Sequence, residues 1–128
     1  MAIQIEISPG ELVDRITILE IKADRIKDEA KLRNVTNELG ALVRIRDQSF
    51  KNEGRARDLS TELKSVNERL WQIEDDIRDC ERQKDFGTQF VELARAVYRM
   101  NDLRAQLKKQ INLMLDSAIV EEKSYALY

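Results

Sequence analysis

The sequence predicts an all-α protein: three long antiparallel helices in a coiled-coil-like bundle, preceded by a short N-terminal β-strand. Three observations carry that prediction. Apolar residues recur at alternating steps of four and three over most of the chain, the repeat of a helix with one covered edge. Charged residues make up 36% of the 128 residues and aromatics 5%, with four glycines and one proline. That balance suits long polar-faced helices and not a sandwich or barrel. Finally, the stretch "SPGEL" reads as a helix start in several independent ways. A chain of this length makes one domain, residues 1–128, with a single modest core.

In "AIQIEI", Ile3, Ile5 and Ile7 alternate with polar residues, the period of a strand. Ser8 then offers an N-cap, Pro9 suits the first helical position and Glu11 sits where a capping box wants it. Ile7 and Leu12 are spaced for a hydrophobic staple. The first helix places Leu12, Ile16, Leu19, Ala23, Ile26 and Ala30 on one seam. Its phase slips near "KLRNVTNEL", where Leu32, Val35, Leu39 and Leu42 take over, so a stutter, kink or break is expected around Asn34. Polar residues from Asp47 to Arg57, with Gly54, make the next turn. The second helix keeps the rhythm through Leu59, Leu63, Val66, Leu70, Ile73, Ile77 and Cys80, and "KDFG" closes it. In the third, Phe86, Phe90, Leu93, Val97, Met100, Leu107, Ile111 and Met114 continue it, and only Arg104 interrupts the apolar series.

Lengths then point to a partner. A continuous first helix through residue 48 would run ~60 Å, against ~40 Å for the second. Its first turns, apolar on more than one side, would overhang the bundle, and a lone strand has no ladder without a mate. A homodimer is therefore expected, with Ile3, Ile5, Leu12, Val13, Ile16 and Ile18 as its contact. The rival arrangement breaks the first helix near Asn34 into a four-helix monomer and takes a second strand from the tail "SYALY".

Polar residues divide into surface and candidates. "LWQIEDDIRDCE" holds Asp75, Asp76 and Asp79 at the spacing some all-helical enzymes use to hold magnesium against a diphosphate. With Ile73, Ile77 and Cys80 on the seam, Asp75 and Asp79 point away from the core and cannot converge with ligands from other helices, so no metal is expected. The basic run Arg44, Arg46, Lys51, Arg55 and Arg57, interrupted by Asp47 and Glu53, reads as a solvated turn and not as an RNA site.

Beside the second seam runs a polar stripe through Asn67, Trp71, Glu74 and Arg78, and beside the third one through Tyr98, Asn101, Lys108 and Asn112. A tryptophan and a tyrosine amid amides and ions want partial burial and a hydrogen-bond partner. Arg104 should lie level with Val66 and Asn67. It has two readings: a register-fixing ion pair with Glu68, Glu74 or the chain terminus, or an anion-binding group in a pocket with Lys108, Tyr98, Asn101 and Asn112.

Other chemistry is limited by composition. There is no histidine, which removes histidine-ligated zinc, Ser–His and Cys–His nucleophiles and an imidazole base. The one cysteine, Cys80, fits a core position and a reducing compartment. A net charge of −2 draws the chain to neither nucleic acid nor an anionic membrane. Neither a signal peptide nor a membrane span is read, so a cytoplasmic protein without a cofactor is expected.

The stretches "ISPGELVDRITILEIK", "LWQIEDDIRDCE", "LARAVYRMNDLRAQLKKQIN" and "IVEEKSY" together resemble a bacterial family of small proteins catalogued as a domain of unknown function. The resemblance spans almost the whole chain and implies a single-domain bacterial protein. It carries over no reaction and no catalytic residue. The reading preferred is a homodimeric structural or protein-interaction module. The alternative is an enzyme or binder of an anionic metabolite, with Trp71, Glu74, Arg78, Tyr98, Asn101, Arg104, Lys108 and Asn112 lining a pocket between the second and third helices. The helix "ELVDRITILEIKADRIK" is similar to the first helix of the all-helical chorismate mutases, over that helix only, which implies basic side chains cradling a dicarboxylate.

Overall fold

A computed structural model describes residues 1–119 and residue 122. It is all-helical, with four helices: α1 (Pro9–Arg25), α2 (Glu29–Ser49), α3 (Arg55–Gln83) and α4 (Thr88–Met114). Two expectations are thereby corrected. The predicted first helix is two helices, so the bundle has four members and not three. No strand forms among the described residues, and the tail "SYALY" proposed as its mate lies outside them.

The break has a local cause. Ile26 leaves α1 in extended backbone (φ −79°, ψ 130°). Asp28 then starts α2, its carboxylate accepting the Lys31 N–H at 2.9 Å. An aspartate N-cap satisfies one of the four N–H groups that a helix start leaves open. The chain breaks between Ile26 and Asp28, ahead of Asn34 and before the first seam has ended at Ala30. Residues 1–7 lack any paired strand, so their backbone groups go to solvent, and Ile3 and Ile5 remain 76% and 67% exposed.

The break also removes the overhang. α2 packs against α1 alone, while α1 also packs against α3 and α4. Being covered on several sides explains why α1 is apolar on several sides. Leu12, Val13, Ile16, Leu19 and Ile21 are all buried within the chain, and Ile18 is half-buried. The main core joins Val13 to Leu59, Leu63, Val66, Leu107 and Ile111, with Phe50, Leu70, Met100 and Leu115 packed around it.

The two longest helices form a hairpin. Lys84 closes α3 in the left-handed region (φ 52°), and its N–H reaches the Cys80 and Glu81 carbonyls. Phe86 and Phe90 meet edge to face across the turn, with centroids 5.3 Å apart. The last turn of α1 lies at Trp71, whose ring is 5.8 Å from the Arg25 guanidinium carbon. From that level to Gln83 the hairpin continues for ~18 Å. Over that length burial is thin: beyond Asn67, α3 buries only Cys80, and α4 buries nothing before Leu107.

Candidate functional site

The densest polar cluster lies where the start of α1 meets the end of α4. Ser8 caps α1 by accepting the Glu11 N–H at 3.1 Å. Gly10 lets the helix lie close: a Cβ there would run into the Lys108 carbonyl and sit 2.9 Å from Asn112 Oδ1. The Gly10 N–H instead donates to Asn112 Oδ1 at 2.7 Å. A helix-terminal donor that would otherwise lack a partner is satisfied from a second helix.

One turn on, Asp14 is 1% exposed. Arg104 grips it with both arms of the fork, Nε donating to Oδ1 at 2.9 Å and Nη2 to Oδ2 at 2.5 Å. Asn67 donates to the same Oδ1 at 3.0 Å and to Thr17 Oγ1 at 2.9 Å. Thr17 closes the cluster by donating to the Asp14 carbonyl at 2.8 Å. A buried carboxylate needs such a full set of donors, and a bidentate arginine is the strongest of them. At the rim, Lys108 donates to Glu11 at 2.6 Å and Arg15 donates to it at 3.0 Å.

Arg104 therefore lies level with Asn67, as the sequence places it, and forms a register-fixing pair. Among the described residues its carboxylate partner is Asp14 of α1, neither Glu68 nor Glu74, and the chain terminus lies outside them. Of the eight residues assigned to a ligand pocket, Arg104, Lys108 and Asn112 come together along α1. Each is engaged there, by Asp14, Glu11 and the Gly10 N–H. The others lie further along the hairpin or at its surface. Trp71 is half-buried beneath Arg25, Glu74 and Arg78 form a 3.8 Å pair in the open, Tyr98 is 40% exposed and Asn101 is half-buried. In the acidic stretch, Asp75 and Asp79 are exposed, and half-buried Asp76 accepts from Gln72 at 3.0 Å. Among the described residues no three acidic or thiol groups gather as a metal site would require.

Sequence reasoning missed Asp14, and a signal for it exists. Gly10, Asp14, Thr17 and Ile21 repeat the four-three spacing on a second face of α1, and all four are buried. A seam with polar members is invisible to a search for apolar ones.

Glu11 makes the cluster sensitive to acid. Burial pushes its carboxyl up, but hydrogen bonds and charge from Lys108 and Arg15 outweigh this and hold it below its ordinary value. A carboxyl lowered in the folded state stabilises above its unfolded value, and that stability is lost as pH falls through the folded one. Urea midpoints taken from about pH 5 down to about pH 3 should therefore fall more steeply in the native chain than in Lys108→Met. Parallel slopes in the two proteins would mean that the Glu11–Lys108 pair contributes nothing.

Fold and site together define a small four-helix protein held in register by a buried, fully partnered aspartate. The chain belongs to Family of unknown function (DUF6165), which it matches over residues 3–127. No curated protein and no solved structure matches it.

Proposed function

We propose that the chain is a structural or protein-interaction module that works as a homodimer, two copies pairing through the outer halves of their α3–α4 hairpins. One observation carries this reading: the cover over a single seam changes along its length. Where α1 lies over the hairpin, Leu59, Leu63, Val66, Leu107 and Ile111 are 0–6% exposed. Further out, Ile73, Ile77, Phe90, Leu93 and Val97 continue the same seam but are only half-buried. Val91 and Tyr98 stand beside them, 48% and 40% exposed. Two helices alone cannot enclose a seam that three enclose, and a second hairpin would supply the missing cover.

Charge favours a second copy as the occupant. The outer part of α3 carries Glu74, Asp75, Asp76, Asp79 and Glu81 against Arg78 and Arg82, while the outer part of α4 carries Arg95 and Arg99 against Glu92. Two-fold pairing would set the acidic helix of each copy against the more basic helix of the other. The metabolite-binding reading is less favoured because Arg104 and Lys108 already hold Asp14 and Glu11. Leu12, Val13 and Ile16 are taken up by the chain's own core, which leaves the hairpin as the better contact. A reducing compartment such as the cytoplasm suits Cys80, a buried free thiol.

Light scattering at micromolar concentration should give twice the chain mass. The exposed double substitution Val91→Glu with Tyr98→Glu, which places acids opposite the partner's acidic helix, should give a monomer with unchanged helical circular dichroism. A monomeric native chain, or a dimer indifferent to both glutamates, sinks the proposal.

A further inference from the structure

We infer that the cleft between α1, the end of α2 and the first turns of α3 is a binding site for a small hydroxylated phosphate ester. It borders the buried ion-pair cluster, with Thr17 common to both, and lies apart from the outer hairpin surface. The cleft holds about 320 Å³, the lower end of the range for small-molecule sites.

Two helical faces build it. Val13, Ile16, Thr17 and Glu20 of α1 and Arg57, Ser60, Thr61 and Lys64 of α3 each follow the spacing of one helix side, and Arg46 of α2 and Asn52 of the connecting loop close the end. The basic run between α2 and α3 is thus divided by the fold. Arg46, near the end of α2, and Arg57, in the first turn of α3, both line the cleft, brought there by the turn at Gly54 (φ 56°).

The lining has three cations, Arg46, Arg57 and Lys64, and one carboxylate, Glu20. Their own partners leave donors to spare. Arg46 uses Nε on Asp47 at 3.1 Å, and Arg57 uses Nε on the Asn52 carbonyl at 3.3 Å. Lys64 stands 3.9 Å from Glu20, beyond hydrogen-bond reach. The outer guanidinium nitrogens make no hydrogen bond among the described residues. Arg46 is nevertheless well covered, its side chain 19% exposed. A guanidinium presents paired donors that match the oxygens of a phosphate, and with Asp47 and Glu20 set against the three cations the cleft keeps a net positive charge for an anion.

The rest of the lining indicates what the phosphate is attached to. Asn52 Oδ1 is a buried acceptor without a hydrogen-bond partner. Such an atom is costly unless a donor reaches it, and a hydroxyl on the ligand would do so. Thr61 Oγ1 donates to the Arg57 carbonyl at 3.0 Å, which leaves its lone pairs for a second hydroxyl. Val13 and Ile16 supply an apolar floor for a short carbon chain.

Calorimetric titration of the full chain at low salt, with glycerol 3-phosphate, inorganic phosphate and glycerol as probes, tests the site. Saturable binding of glycerol 3-phosphate, weaker binding of inorganic phosphate and none of glycerol is the result expected. Arg57→Gln with Lys64→Gln should weaken the ester at least tenfold while circular dichroism stays native, since both side chains reach solvent. The inference is overturned by the absence of saturable binding for both phosphates, by equal affinity in the double variant, or by inorganic phosphate binding while the ester is refused.

Discussion

Replacing Asp14 with alanine should cost about 2–4 kcal/mol of folding stability, read as a lower urea midpoint at unchanged slope. Removing one partner of a buried ion pair leaves the other's charge less well compensated. Arg104 would lose its two-point grip on the Asp14 carboxylate, and Asn67 would keep its bond to Thr17. The Arg104 side chain is 30% exposed and can recover some hydration, which is why the figure lies below the full range for a sealed pair. Replacing the whole group, Asp14→Leu with Asn67→Leu and Arg104→Met, removes both charges together and should regain most of the loss. An Asp14→Ala protein within about 0.5 kcal/mol of native would mean that the cluster is not what holds α1 in register.

Gly10→Ala should cost about 2–3 kcal/mol. An alanine within a helix ordinarily gains about 0.5–1 kcal/mol over glycine, so the sign itself is informative. At Gly10 the added methyl meets a backbone carbonyl on α4, which cannot swing aside, and the bond to Asn112 goes with the displaced helix. Gly40 in α2 is the matched control. Its added carbon would lie 3.5 Å from Arg44 Nη1, an ordinary contact with a flexible side chain, and Gly40→Ala should show the usual gain. If both variants stabilise, α1 and α4 are not in close contact at Gly10.

Much of the fold was legible because it is written locally. Leu59, Leu63, Val66, Leu107 and Ile111 follow from spacing alone, and all are buried. The start of α1 at Ser8 was legible for the same reason, since a cap and its N–H lie three residues apart. The break falls after Arg25 and not near Asn34 because Asp28, an aspartate suited to cap α2, acts ahead of the apolar phase slip. The strand reading failed on a different ground. Alternation at Ile3, Ile5 and Ile7 specifies which side chains would share a face, but a strand also needs a neighbour to bond.

Arg104 marks the limit most clearly. Its place in an otherwise apolar series, and its level opposite Asn67, followed from the heptad and from the turn at Lys84. Its partner lies 90 residues away on a helix whose position no periodicity encodes. The sequence by itself determined which segments are helical and which edge of each helix is apolar, because backbone hydrogen bonding and side-chain spacing act within a few residues. Only the tertiary structure decided that α1 would be covered on several sides, that Asp14 would receive Arg104, and that Arg46 and Arg57 would share a cleft with Lys64. Those outcomes depend on how whole helices lie against one another, and burial is settled by the neighbours a residue meets there.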